Sequence, residues 1–276
     1  MTPVLNPQTE RDLQSLRGDL PQSVLLSGEV GVGLGTIARF IATSLQAVPM
    51  VILPEKNDKI DLEKGSIAVE TIRDLYEQTR TKRATKHIII IDYAERMSKQ
   101  AQNAFLKLLE EPNDSTYFIL ATHTPGQLLP TVRSRMRLVE IRSITQAQSE
   151  KFLDTLQVHD TTTRSQILFM AAGLPAEMKR LVDDSDHFTA RVAIMRDARN
   201  LLQDETYNKL LIAHLYKDRR DDALQLLQDA AKIIRRTMSA KPSLQLRRQI
   251  DRLLTTYDHI AANGNIRLCL AQLVLQ

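Results

Sequence analysis

Four consecutive isoleucines, Ile88 to Ile91, followed at once by Asp92, constrain this chain more than any other stretch. A β-branched run with no polar residue has no face for water, so it predicts a strand buried on both sides within a parallel sheet. Parallel strands need crossover connections, usually helices. The following residues supply one: Ser98 is an N-cap, and Ala101, Ala104, Phe105, Leu108 and Leu109 recur at helical spacing. Pro112 stops that helix after Glu111. A second apolar strand, Tyr117 to Ala121, then ends at Thr122. An acid at the C-terminal end of such a strand, Asp92 here, faces the crevice where open α/β sheets hold ligands; a lone threonine at a strand end, as at Thr122, is more often a hydrogen-bonded terminator.

The earlier residues repeat the pattern with a glycine loop. Asn6 and Pro7 read as an N-cap and first helical residue, and Gly18 ends a lead-in helix carrying Leu13 and Leu16. Ser23 to Ser27 is a short apolar strand that runs through Gly28, Gly31 and Gly33 into a helix expected to reach Gln46. Strand, glycine loop and helix is the setting of a phosphate loop, which needs G-x-x-x-x-G-K-[ST]. Here the lysine and hydroxyl positions hold Leu34 and Gly35, which offer neither a cation nor an oxygen for magnesium. Thr36 stands one position later and reaches inward only if the register slips. A dinucleotide fingerprint fails at the same Thr36. Two readings remain: glycines kept for a tight turn, or weak nucleotide binding through the backbone of Gly28, Gly31 and Gly33. The substitutions Leu34→Lys and Gly35→Thr are expected to bring back some magnesium-nucleotide affinity.

Three motifs, AQNAFLKLLEEP (101–112), FILAT (118–122) and TVRSRM (131–136), together resemble the AAA+ clamp-loader subunits of DNA replication. Within that family the chain is most similar to the delta-prime branch of bacterial DNA polymerase III, on what it lacks as well as what it has. The resemblance implies a RecA-like α/β domain with a parallel five-stranded sheet, a small helical lid and an all-helical C-terminal collar. It divides the chain at 1–142, 143–185 and 186–276. It also implies that Asp92 and Thr122 stand at the magnesium and sensor positions of a degenerate nucleotide site. Tyr93 replaces the family's water-activating glutamate, and a phenol with a pKa near 10 is a poor base at neutral pH. In the lid, Ala176 replaces a phosphate-sensing arginine. Ser134 and Arg135 occupy the place of an arginine finger acting on a neighbour's γ-phosphate; the alternative is a plain basic surface with Arg133 and Arg137. Met136 replaces a family cysteine, which is tolerable if the side chain merely packs.

The expected function is that of a clamp-loader subunit without ATPase activity of its own, supporting ATP-dependent loading of the sliding clamp onto primed DNA. Its partners would be the motor and delta subunits of a hetero-pentameric ring, primer-template DNA and the clamp. ATP and magnesium would be held by the neighbours, with no cofactor or metal in this chain. The family's four-cysteine zinc module is absent between Val48 and Ile67, and Cys269 is the one cysteine. Two rivals stand: an active AAA+ ATPase with an unusual site, and an inactive AAA+ scaffold outside replication.

Composition adds little. The net charge of +4 and pI near 9.2 are mildly basic and compatible with a nucleic-acid partner; the run Arg80, Lys82, Arg83 and Lys86 is either a DNA-facing patch or a solvated turn. One cysteine and the lack of a charged-then-apolar N-terminus make a cytoplasmic location the expectation, and no apolar run approaches the roughly 20 residues needed to span a bilayer, so no membrane role is expected. Thr145 with Gln148 and Thr163 with Gln166 fit capping boxes. Helical periodicity then covers Val192 to Leu202, Tyr207 to Leu215, Asp221 to Thr237 and Leu244 to Ala261. The surplus apolar residues Ile266, Leu268, Leu270, Leu273 and Val274 serve either a bundle core or packing against partners.

Overall fold

The isoleucine run is the most deeply buried strand of a parallel sheet. A computed structural model describes residues 2–18, 20–62, 64–79 and 86–275. In chain order it contains α1 (Pro7–Gly18), β1 (Ser23–Gly28), α2 (Leu34–Ser44), β2 (Met50–Ile52), β3 (Glu55–Lys56), β4 (Lys59–Ile60), α3 (Val69–Thr79), β5 (His87–Ile91), α4 (Lys99–Glu110), β6 (Thr116–Thr122), α5 (Pro130–Arg133) and β7 (Arg137–Ile141). Helices follow: α6 (Gln146–Thr155), α7 (Thr161–Ala171), α8 (Pro175–Asp183), α9 (Ser185–Gln203), α10 (Thr206–Leu215), α11 (Arg220–Ala240), α12 (Leu244–Ala261) and α13 (Ile266–Leu275). The chain divides into two compact units, Met1–Lys179 and Arg180–Gln276.

In the first unit five strands pair in the order β2-β5-β6-β1-β7, every pair parallel. This is the five-stranded parallel sheet that the resemblance implies. Ile88 to Ile91 are each 0% exposed, and their alternation splits them between two cores. Ile89 and Ile91 join Leu25, Phe105, Phe118 and Leu120 on one face; Ile88 and Ile90 join Val24, Leu26, Ile37 and Ile119 on the other. Each such side chain contributes about 1.5–3 kcal/mol on removal from water. Phe105 of α4 meets Phe118 of β6 edge-on, with centroids 5.2 Å apart. The ends of β1, β5 and β6 thereby come side by side, with Ser27 opposite Thr122.

The local punctuation is largely as the residues imply. Asn6 Oδ1 accepts the Gln8 N–H at 3.0 Å, and Ser98 Oγ accepts the Ala101 N–H at 3.1 Å. Thr145 and Gln148 form a complete reciprocal box. Two expectations need correction. The cap of α7 is Asp160, whose carboxylate accepts the Thr163 N–H at 2.7 Å; Thr163 lies inside the first turn. That bond holds the Asp160 carboxyl below the usual carboxylate range. Helix α2 stops at Ser44 rather than Gln46, because Gln46 takes a left-handed backbone with φ 58°. Of the basic run at 80–86, Arg80, Lys82 and Arg83 lie outside the described residues, while the Lys86 ammonium sits 5.6 Å from the Tyr117 ring centroid.

The second unit is a bundle of α9 to α13 around Ile194, Leu226, Leu227, Ile234, Leu253 and Leu270. In α13, Ile266 and Leu270 are buried in the bundle while Leu268 is 68% exposed, so its surplus apolar residues divide between core and surface. Arg235, Arg236, Arg247 and Arg248 are exposed. Two polar pairs are shut inside. Arg191 of α9 donates to Asp229 of α11 at 2.9 Å, with side chains 8% and 0% exposed. The Tyr216 hydroxyl donates to Asp197 at 2.9 Å, and burial together with the Asp197 charge pushes the phenol well above its ordinary pKa. Among the described residues no helix is long and apolar enough to cross a membrane.

Breaking the Arg191–Asp229 pair strands a buried charge, whereas removing both partners does not. Arg191→Ala is expected to lower stability by about 3–5 kcal/mol. The double substitution Arg191→Met with Asp229→Leu should cost far less. Urea denaturation of the full chain, followed by far-ultraviolet circular dichroism, checks both.

Candidate functional site

The glycine loop lies at the C-terminal edge of the sheet. Gly31 and Gly33 have φ of 89° and 95°, a left-handed backbone open to glycine at little cost. Gly33 precedes the first residue of α2. Leu34 does not project into the loop: it is 2% exposed and packs in the apolar core with Val24, Ile37 and Ile88. Gly35 faces the end of β5, where a Cβ would overlap Oδ2 of Asp92 outright and lie 3.1 Å from the Arg39 guanidinium. The carboxylate therefore fills the space that a serine or threonine side chain would need. Thr36 is exposed. The expectation that Leu34→Lys with Gly35→Thr brings back nucleotide affinity is thus corrected. The first change buries an ammonium in the core, and the second collides with Asp92.

Asp92 is 8% exposed, and one of its oxygens accepts the Tyr93 N–H at 3.1 Å. Burial raises its carboxyl above the usual range, an effect offset in part by that bond and by the charge of Arg39. Tyr93 itself has a left-handed backbone with φ 54°. Its ring meets His123 edge-on at 5.6 Å. His123 Nδ1 lies 2.9 Å from the Gly28 carbonyl; a carbonyl only accepts, so the ring carries its proton on Nδ1. The His123 N–H donates to Glu95 Oε1 at 3.3 Å, while Glu95 Oε2 is buried with no hydrogen-bond partner. Thr122 is fully buried, and its hydroxyl accepts the Thr124 N–H at 3.2 Å, which is how a strand terminator behaves. Arg39, Glu95 and His123 escaped the reading of the sequence. Only Glu95 carried a signal, its place three residues after Asp92.

Helix α8 is seated on the same loop. The Ala176 and Glu177 N–H groups donate to the Gly31 carbonyl at 2.9 and 3.1 Å, so these two donors of a helix N-terminus are taken by protein rather than held out to an anion. A Cβ on Gly33 would stand 3.4 Å from that of Ala176, and one on Gly31 2.8 Å from that of Glu177.

A second constellation lies at the junction of α5 and β7. Val132 and Met136 are buried in the core beside α4, so Met136 packs as a hydrophobe. Arg133, Ser134, Arg135 and Arg137 are exposed. Ser134 Oγ donates to the Thr131 carbonyl at 3.1 Å. Arg135 donates from one terminal nitrogen to the same carbonyl at 3.1 Å and from the other to Glu110 at 2.8 Å, with side chains 39% and 51% exposed. A guanidinium carries five N–H donors; with two engaged, three are left for an outside ligand. Among the described residues no cluster of metal-ligating side chains occurs.

Residues 48–145 match the family model described as "DNA polymerase III, delta subunit". The delta-prime subunit of Yersinia pestis is 39% identical over 87 residues, 31% of this chain and 24% of that protein. The tau subunit of Bacillus subtilis is 30% identical over 185 residues, 63% of this chain and 32% of that protein. The gamma subunit of Buchnera aphidicola from Schizaphis graminum is 33% identical over 154 residues, 49% of this chain and 42% of that protein. The chain therefore spans less than half the length of these relatives, and it resembles clamp-loader subunits over the region that carries the motifs. A gamma subunit-related protein of Thermotoga maritima superposes with TM-score 0.53 at 17% identity, covering 97% of each chain. This likeness is one of fold.

Two expectations follow. Gly35→Ala should destabilise the protein by about 1–3 kcal/mol through overpacking, and by much less in an Asp92→Ala background; paired chemical denaturation curves measure that coupling. The raised Asp92 carboxyl sets a pH trend. Its protonated form stabilises the fold fully below about pH 3.9, and that contribution is lost as the pH rises through the higher folded value. Asp92→Asn should therefore gain stability on the wild type between acid and neutral pH, as melting temperatures across that range would register.

Proposed function

We propose that this chain is a non-hydrolysing subunit of a DNA polymerase III clamp loader that lends Arg135 to an ATP site on a neighbouring subunit. The observation that carries the reading is the contrast between the two constellations. The loop has a buried leucine and a glycine where a phosphate loop needs a cation and a hydroxyl, with Asp92 pressed into the remaining space. Arg135 stands at the surface with three N–H donors free. A guanidinium presented in this way can meet charge developing on a transferring phosphoryl group, the task of an arginine finger. Ser134 caps the short helix from which Arg135 emerges.

In this reading residues 1–142 form the AAA+ α/β domain, 143–185 its lid and 186–276 a collar through which the subunit joins motor and delta subunits in a hetero-pentameric ring. ATP and magnesium belong to the neighbours. The ring loads the sliding clamp onto primer-template DNA in the cytoplasm, and this chain needs no cofactor or metal. Gly28, Gly31, Gly33, Thr36, Asp92 and Thr122 are then relics of a nucleotide site.

The test has two arms. The isolated chain should show no magnesium-dependent ATP turnover; turnover that vanishes in Asp92→Ala would make it an ATPase instead. In a complex reconstituted with motor subunits, Arg135→Ala should preserve assembly while lowering DNA-stimulated hydrolysis and clamp loading. Single fingers are worth roughly 10³–10⁵ in GTPase systems, and a ring with several sites should lose less. Arg133→Ala and Arg137→Ala are the controls. Equal, salt-dependent losses of DNA binding in all three would mark a basic surface. Failure to assemble with any motor subunit would point to a scaffold outside replication.

A further inference from the structure

We infer that Glu110 is the positioning residue for Arg135, a bracket that orients the guanidinium toward its outside ligand; this rests on the finger reading above. Glu110 is the last residue of α4, and an acid there faces the negative end of the helix, where it is locally unfavourable. Among the described residues it belongs to neither the caps nor the buried core of α4. Its carboxylate instead meets Arg135 at 2.8 Å. The Thr131 carbonyl holds the other terminal nitrogen at 3.1 Å, so the planar group is gripped at both ends while Nε–H and one N–H on each terminal nitrogen remain open.

The grip is rigidly backed. Leu108 and Leu109, just before Glu110, and Val132 and Met136, on either side of the Arg135 segment, are all buried in the same core. The backbone segments that carry the two partners are therefore held at a fixed separation, within which the 2.8 Å pair forms. A flexible arginine loses several rotamers on meeting a phosphate; one already held by two anchors loses fewer, which favours the transition state over a freely moving side chain. The pair is part exposed, so its role is orientation more than stability.

The experiment measures ATP hydrolysis by the full chain reconstituted with its motor subunits, clamp and primed DNA. Glu110→Ala should lower kcat about two- to fivefold, the reach of one partly exposed charge-assisted bond, with KM for ATP little changed. Glu110→Gln keeps an acceptor oxygen and should lose less. The double variant Glu110→Ala with Arg135→Ala should be no slower than Arg135→Ala alone. Wild-type turnover in Glu110→Ala, faster turnover in it, or a further loss in the double variant would each overturn the bracket. If Arg135→Ala itself hydrolyses ATP at the wild-type rate, the finger reading fails first, and that result is separate from the other three.

Discussion

Burial of β5 on both faces dictates where its neighbours must be. Ile88 and Ile90 need an apolar layer on one side and Ile89 and Ile91 another on the opposite side. Helices α1 and α2 on one side and α3 and α4 on the other carry the apolar faces that meet that demand. With those layers in place, the strand ends are brought into one row, and Asp92 is carried into the space beside the glycine loop. Neither the loop nor the helix after it could adopt its position if β5 lay at a solvent-facing edge.

Loop and strand end are coupled by exclusion. A buried carboxylate is costly unless neighbouring dipoles and charges support it. Asp92 has the Tyr93 N–H and the nearby positive charge of Arg39, and burial still dominates its titration. The oxygen that these contacts leave over lies where a side chain at position 35 would be, so glycine there is a steric requirement of Asp92. Leu34 is held by a different force, the apolar core beneath α2. The two departures from a phosphate loop thus have separate physical causes, and reversing both would disturb separate parts of the fold.

At the C-terminal end of α4 the same core packing reaches the surface. The helix carries Phe105, Leu108 and Leu109 into the core and leaves Glu110 at its end, within reach of Arg135. Exposed ion pairs of this kind add little to stability, about 0–1 kcal/mol at most, while the shared core behind them fixes geometry. Rigidity here comes from the buried hydrophobes, and the polar groups stand at the surface beyond them.

The sequence by itself determined the parallel sheet, the helix after Ser98, the reciprocal cap of Thr145 and Gln148, and that positions 34 and 35 carry neither a cation nor a hydroxyl. Each rests on spacing within a few residues, which local propensity and periodicity encode directly. Short range also has its ambiguities: Asp160 and Thr163 both suit a helix start, and the choice fell to the carboxylate one turn earlier because its oxygen reaches the Thr163 N–H. Tertiary structure alone decided that Leu34 is buried, that Asp92 fills the space at Gly35, that the Gly31 carbonyl caps α8, and that Arg135 rests on Glu110. Residues far apart in the chain make these contacts. Their meeting depends on the strand order and on which face of each helix is buried, quantities that no local pattern carries.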